Sequence, residues 1–84
     1  MAYKIAFKKS VAKDLKKIDP PEIEKIFNKI ESDLIAKADS LPELQGKFAG
    51  LRKFRVGNYR IIFTIIDETI LILRIQHRKD VYRK

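Results

Sequence analysis

The sequence has no cysteine, one histidine and only three glycines in 84 residues. Without cysteine the chain can form no disulfide, no thiolate zinc site and no cysteine nucleophile, and this composition fits a reducing compartment, so we expect a cytoplasmic protein. A single histidine and the lack of clustered acids leave too few ligands for a transition-metal site, and a two-metal nuclease site needs several converging carboxylates. We therefore expect no metal and no other cofactor.

Long apolar runs are missing as well. The longest, at residues 61–66 and 70–73, are far shorter than the ~20 residues that cross a bilayer, and the first residues contain no apolar signal core. A chain of 84 residues suffices for one domain and not for two. We therefore expect residues 1–84 to form a single domain with no membrane segment.

Basic residues clearly outnumber acidic ones. The chain has 19 Lys and Arg against 11 Asp and Glu, a net charge of +8. A charge of this sign favours association with nucleic acid or anionic lipid and says nothing about the fold. The charge balance therefore predicts a polyanionic partner.

The first half of the chain has the apolar periodicity of a strand followed by two helices. Residues 3–7 alternate as a half-buried strand does. Ser10 is a candidate N-cap for a first helix, and Asp19, which precedes a proline, is a candidate N-cap for a second helix with Glu22 placed for a capping box. The helices should end near Asp19 and Ala38, and their apolar stripes predict a hairpin packed on a sheet.

The last third predicts a three-stranded antiparallel meander after a loop at residues 39–50. The fold class is therefore α+β, with a small curved sheet and two helices on one of its faces. The expected strands cover residues 51–56, 59–66 and 70–76, separated by turns at Gly57-Asn58 and Asp67-Glu68.

Strand alternation sorts the side chains into an apolar and a basic side. A two-residue turn at Gly57-Asn58 places Arg55 opposite Arg60. In the last strand Leu71, Leu73 and Ile75 are the expected core residues, which requires a turn of three or five residues before them. One surface of the sheet would then carry five cations, Lys53, Arg55, Arg60, Arg74 and Arg78.

Like charges directly opposite each other on paired strands destabilise a sheet. The facing pair Arg55 and Arg60 is thus a poor choice for folding alone, and function is the natural reason for it. Arginine binds phosphate with two parallel hydrogen bonds, so several fixed cations on one sheet surface predict a phosphate-binding site.

Two segments carry a resemblance to a known family. They are Arg55-Val56-Gly57-Asn58-Tyr59-Arg60-Ile61 and His77-Arg78-Lys79-Asp80-Val81-Tyr82, preceded by Leu44-Gln45-Gly46. Together with the order of strand, helix hairpin and meander, they resemble the RelE/ParE toxin superfamily over essentially the whole chain. The resemblance implies the toxin of a type II toxin–antitoxin pair with a RelB-like antitoxin. In RelE-like members it implies an endoribonuclease that cleaves mRNA on the ribosome by metal-free attack of the RNA 2′-hydroxyl.

The resemblance also implies roles for individual residues. Arg60 is similar to the central arginine that contacts the scissile phosphate, and Lys53 and Arg55 to a basic pair that binds phosphate or accepts the 2′-hydroxyl proton. Arg78 resembles the arginine that acts on the leaving group. Tyr82 resembles a tyrosine that stacks on a base and orients the attacking hydroxyl.

Three further residues complete the candidate site. Arg52 and Arg74 are candidates for binding RNA or phosphate. His77 is a candidate acid or base because imidazole titrates near neutrality, but strand alternation places it on the core side, so a catalytic and a structural role stay equally open. We expect the last strand to end or bulge near His77.

Two other functions compete with the ribonuclease. A ParE-like inhibitor of DNA gyrase shares the superfamily's fold but lacks the ribonuclease site, and the combination of Arg60, Arg78, Tyr82, Lys53 and Arg55 favours the ribonuclease over it. An RNA-binding module without activity would need aromatic residues on the basic side. The aromatic residues of the meander are expected on the core side instead.

Overall fold

The computed structural model describes residues 3–44 and 50–77. A four-stranded sheet has the order β1-β4-β3-β2, with β1 parallel to β4 and the other neighbours antiparallel. The expected α+β fold, with helices packed on a small sheet, is confirmed. The elements are β1 (Lys4–Phe7), α1 (Lys9–Leu15), α2 (Pro20–Lys29), a π-helical segment (Ile30–Leu34), α3 (Ile35–Lys37), a 3₁₀ turn (Ala38–Ser40), β2 (Arg52–Val56), β3 (Tyr59–Ile66) and β4 (Thr69–His77).

The first helix begins two residues earlier than expected. Lys8 is its N-cap and makes no side-chain capping bond, so the prediction of Ser10 as N-cap is wrong. Ser10 lies within the first turn, and its hydroxyl donates to the carbonyl oxygen of Leu73 on β4 at 2.6 Å. The hydroxyl thus binds a partner 63 positions away along the chain instead of a backbone N–H at the start of its own helix.

The second helix begins where the sequence predicts, but α2 ends at Lys29, and only the helical segments that follow it reach the predicted end near Ala38. Asp19 is the N-cap of α2 and Pro20 occupies its first turn, as proline's fixed φ favours. The expected capping box is absent from this helix start, because no side-chain capping bond forms there and Glu22 instead pairs with Lys25 at 3.7 Å. The helical chain continues through the π-helical segment and α3 to the 3₁₀ turn.

The Gly57-Asn58 hairpin has the predicted register. Val56 pairs with Tyr59, and Arg55 pairs with Arg60. Gly57 has a φ of +58°, which a residue without a Cβ adopts at little cost. The two cations therefore lie directly opposite each other across β2 and β3, as expected.

The register of β4 differs from the prediction. Ile66 pairs with Thr69, so the turn at Asp67-Glu68 has two residues rather than three or five. The ladder then shifts between Ile62 and Phe63, because Leu73 is an extra residue that forms a β-bulge. The expected core set Leu71, Leu73 and Ile75 is thus wrong in two of its three members.

The bulge changes which residues of β4 are buried. Ile70 and Ile72 before the bulge and Ile75 after it face the core, whereas Leu71 and Leu73 are half-buried. The buried residues of β4 pack with Ile61 and Phe63 of β3, with Ile18 between the first two helices, and with apolar residues of the helical segments, Val11, Ile26, Ile30 and Leu34. The core therefore lies between the helices and one face of the sheet.

Phe63 is the largest fully buried side chain among the described residues. Phe63→Ala should reduce the free energy of unfolding by about 3–5 kcal/mol, because it leaves a cavity that the neighbouring side chains fill only in part. Urea denaturation at 25 °C measures the change. Ile66→Ala on the same strand is the control: Ile66 is 53% exposed, so a loss above about 0.5 kcal/mol there would contradict the burial pattern.

Candidate nucleic-acid interface

Four cations of β2, β3 and β4 lie on the face of the sheet opposite the core, as expected: Lys53, Arg55 and Arg60, and Arg74, which pairs with Ile62. Lys53 pairs with Ile62 and Arg55 with Arg60, at positions that alternate with buried Phe54 and Ile61. We call Lys53, Arg55 and Arg60 the basic face. Arg55 is exposed, and the other two are half-buried.

The part of the chain that the structure describes provides no counter-charge to the basic face. Within residues 3–44 and 50–77, Lys53, Arg55 and Arg60 form no ion pair. A pocket of about 60 Å³ lies beside the hairpin turn, lined by Arg55, Gly57, Asn58, Tyr59 and Arg60. Fixed cations without acidic partners attract an external anion, and the forked guanidinium groups are suited to phosphate oxygens.

Arg74 has a partner inside the protein. Its Nε and Nη2 donate to the two carboxylate oxygens of Asp14 on α1, at 2.9 and 3.0 Å. This bidentate geometry uses the same donors that would bind a phosphate. The phosphate-binding role of Arg74 stays a prediction, and the pairing argues against it.

Arg52 lies on the other side of the sheet from the basic face. It pairs with Phe63, and its position in β2 is two residues from buried Phe54, so it belongs to the core side of the strand. Its Nη1 donates to the backbone carbonyls of Leu41 and Asp39. Arg52 thereby ties the chain after the 3₁₀ turn to the sheet, and its predicted contact with RNA has no support from this placement.

His77 lies on the core side of β4, as strand alternation predicts. It pairs with Tyr59, and the two rings meet edge to face with centroids 5.1 Å apart. The preceding residue, Gln76, pairs with Arg60 on the opposite face of the sheet. The bulge of β4 is at Leu73, four residues before His77, so the ladder is regular at His77 itself, and the arrangement separates His77 from the basic face. Arg78 and Tyr82 lie outside the described residues.

Asp14 is the residue that the sequence analysis missed. It is only 7% exposed, and it accepts hydrogen bonds from Arg74 and from the backbone N–H of Ile75 at 2.9 Å. A signal was present: Asp14 is three residues after Val11 and four before Ile18, so it shares the apolar stripe of the first helix. An acid within such a stripe indicates a buried partner.

Comparisons with known proteins define the class of this protein. The family model described as ParE toxin of the type II toxin–antitoxin system parDE matches residues 5–82. The chain therefore belongs to the RelE/ParE superfamily of type II toxin–antitoxin toxins.

Individual relatives carry RelE-type names. The chain is 32% identical to toxin RelG of Mycobacterium tuberculosis over the full length of both proteins, and 35% identical to toxin RelE3 of Methanocaldococcus jannaschii over 94% of each. Its fold matches the toxin–antitoxin complex RelBE2 of Mycobacterium tuberculosis with a TM-score of 0.85 and 28% identity, over 93% of this chain and all of the matched chain. These relatives thus carry RelE-type names, whereas the matching family model is named after ParE.

Arg60→Ala should leave the melting temperature unchanged or raise it. The substitution removes a repulsion from Arg55 that costs about 0.2–1 kcal/mol and leaves no cavity in the core. Thermal unfolding followed by circular dichroism measures the effect. A fall of more than about 4 °C, which corresponds to ~1 kcal/mol in a domain of this size, would show that Arg60 stabilises the fold and that the basic face is structural.

Proposed function

We propose that this toxin is an endoribonuclease that cleaves mRNA, on the ribosome, without a metal ion. The observation that carries the proposal is the basic face, in which Arg55 and Arg60 face each other beside Lys53 with no ion pair among the described residues. Such an arrangement costs stability, so it favours an anionic ligand that offsets the repulsion. The names of the relatives RelG and RelE3 support the RelE-type chemistry.

The proposed reaction uses the RNA as its own nucleophile. The 2′-hydroxyl oxygen attacks the adjacent phosphorus, a 2′,3′-cyclic phosphate forms, and the bond to the 5′-oxygen breaks so that this oxygen leaves as a hydroxyl. Arg60 on β3 offsets the negative charge that develops on the phosphate oxygens, and Arg55 on the neighbouring strand β2 binds the same phosphate. As a neutral amine, Lys53 on the same face is the proposed acceptor of the 2′-hydroxyl proton, and the departing 5′-oxygen takes up a proton from solvent.

The C-terminal residues complete the proposed site. Arg78 is proposed to stabilise the leaving 5′-oxygen, and Tyr82 to stack on a base of the RNA and orient the attacking hydroxyl. His77 takes no part in this scheme, because its ring packs on Tyr59 and Arg60 pairs with Gln76 instead.

A second candidate function is inhibition of DNA gyrase. The observation in its favour is that the matching family model is described as a ParE toxin. Both functions share one fold, so the fold does not choose between them. The basic face favours the ribonuclease.

The proposed partner in the cell is a RelB-like antitoxin. The support is that RelBE2, which the chain matches over 93% of its length, is a toxin–antitoxin complex. We propose that the antitoxin covers the basic face, since a bound segment with acidic residues would offset its charge and exclude RNA.

Expression of this chain without its antitoxin should stop protein synthesis before it damages DNA, because cleavage removes the templates of translation. Pulse-labelling with radioactive methionine measures protein synthesis, and labelling with radioactive thymidine measures DNA synthesis. Arg60→Ala should abolish the arrest, whereas Lys25→Ala, which removes an exposed cation from α2, should retain it. Continued translation together with DNA breaks would support the gyrase inhibitor and contradict the ribonuclease.

Co-expression of the antitoxin should protect the basic face from chemical modification. Arg55 and Arg60 should react with an arginine-specific dicarbonyl reagent in the free toxin and become resistant in the complex, because the antitoxin covers their guanidinium groups. Mass spectrometry of the modified peptides measures the extent of reaction. Equal reactivity in both states would show that the antitoxin inhibits from another surface.

A further inference from the structure

The edge of β4 that faces away from β3 is bonded along its first part by β1 and along its second part by α1. Its partner β1 ends at Phe7, which pairs with Ile72, whereas β4 continues to His77. Beyond Ile72 this edge of β4 is contacted by α1 instead of a strand. The helix therefore has to satisfy backbone groups that a strand would otherwise bind.

The bulge at Leu73 turns two consecutive carbonyls toward the same edge. The backbone N–H of Lys8 donates to Ile72 at 2.9 Å, and the Ser10 hydroxyl donates to Leu73 at 2.6 Å. In a regular strand successive residues direct their backbone groups to opposite edges. Lys8 and Ser10 thus satisfy the two carbonyls that the bulge brings together.

Asp14 completes the bonding of the bulge. Its Oδ2 accepts from the N–H of Ile75 at 2.9 Å, and both of its carboxylate oxygens accept from the guanidinium group of Arg74. Ser10 and Asp14 are four residues apart on α1 and therefore lie on one side of the helix. The carboxylate of Asp14 thus hydrogen-bonds to both residues that follow Leu73, to the side chain of Arg74 and to the backbone of Ile75.

The bulge determines which side chain lies beside Arg60. With it, Ile75 pairs with Ile61 in the core and Gln76 pairs with Arg60. Without the extra residue, the same turn would set Arg74 opposite Ile61, which is fully buried, and Ile75 opposite Arg60. A shift of one residue would thus bury a charge and replace the polar neighbour of Arg60 with an apolar one.

We propose that Asp14 is a positioning residue for the basic face: it holds the bulge at Leu73 and thereby the register in which Gln76 lies beside Arg60. The inference rests on the proposed ribonuclease function, because RNA cleavage is the activity that the register supports. Asp14 itself touches no RNA in this arrangement, since its carboxylate is bound to Arg74 and Ile75.

Asp14→Asn tests the proposal with almost no change of volume. The amide oxygen still accepts from Ile75, but the amide nitrogen replaces an acceptor by a donor that faces the donors of Arg74. The bulge should loosen while the core stays filled. The single-turnover rate of mRNA cleavage at saturating toxin should fall between about tenfold and a hundredfold, as displacement by about 1 Å does in other enzymes, and the toxin concentration at half-maximal rate should change little.

Asp33→Asn is the matched control. Asp33, in the π-helical segment that follows α2, also pairs with a cation, Lys29 at 3.3 Å, but at the surface. The substitution changes the net charge by the same amount and should leave the cleavage rate as it is. If Asp14→Asn lowers only the melting temperature and cleaves at the wild-type rate, Asp14 is a structural residue and the proposal is wrong.

The register itself can be measured without a substrate. The N–H of Ile75 points away from β3 to Asp14, so Ile61 and Ile75 form a non-hydrogen-bonded pair with close α-protons. Nuclear magnetic resonance should show a strong cross-peak between these protons in the wild type and a weak or absent one in Asp14→Asn. An unchanged cross-peak would overturn the proposal. A wild-type toxin that cleaves no mRNA would refute the proposed function instead, and the cross-peak would still decide the role of Asp14.

Discussion

The sheet register of this toxin depends on the carboxylate of Asp14. Burial of a carboxylate is costly unless hydrogen bonds and an opposite charge compensate for it, and Asp14 receives both from Arg74 and Ile75. Asp14 and Arg74 are 60 positions apart along the chain. The same contact therefore joins the first helix to the last strand, supports the bulge, and keeps Arg74 out of the apolar core.

The two faces of the sheet place opposite demands on the sequence. One face buries Ile61, Phe63, Ile72 and Ile75 against the helices, and burial of such side chains is the main source of stability. The other face brings Arg55 and Arg60 together, which reduces stability. The buried core has to offset this repulsion, and the anion site of the proposed function depends on that balance.

The cations of the chain differ in what they do, although the sequence makes them look alike. Arg52 binds the carbonyls of Leu41 and Asp39, and Arg74 binds Asp14, so both stabilise tertiary structure. Lys53, Arg55 and Arg60 have no ion pair among the described residues and are the ones suited to an external phosphate. Membership in the RelE/ParE superfamily defines the fold, but these three residues carry the argument for RNA cleavage.

The sequence by itself determined the order of strand, helix hairpin and meander, the N-cap of α2 at Asp19 and the facing pair of Arg55 and Arg60. These features follow from local periodicity, a proline signal and a two-residue turn, each of which lies within a short segment. Only the tertiary structure decided the register of β4 and the partners of Arg74 and Ser10. A bulge adds a residue whose backbone bonds come from a distant helix, and no local pattern within β4 encodes that helix.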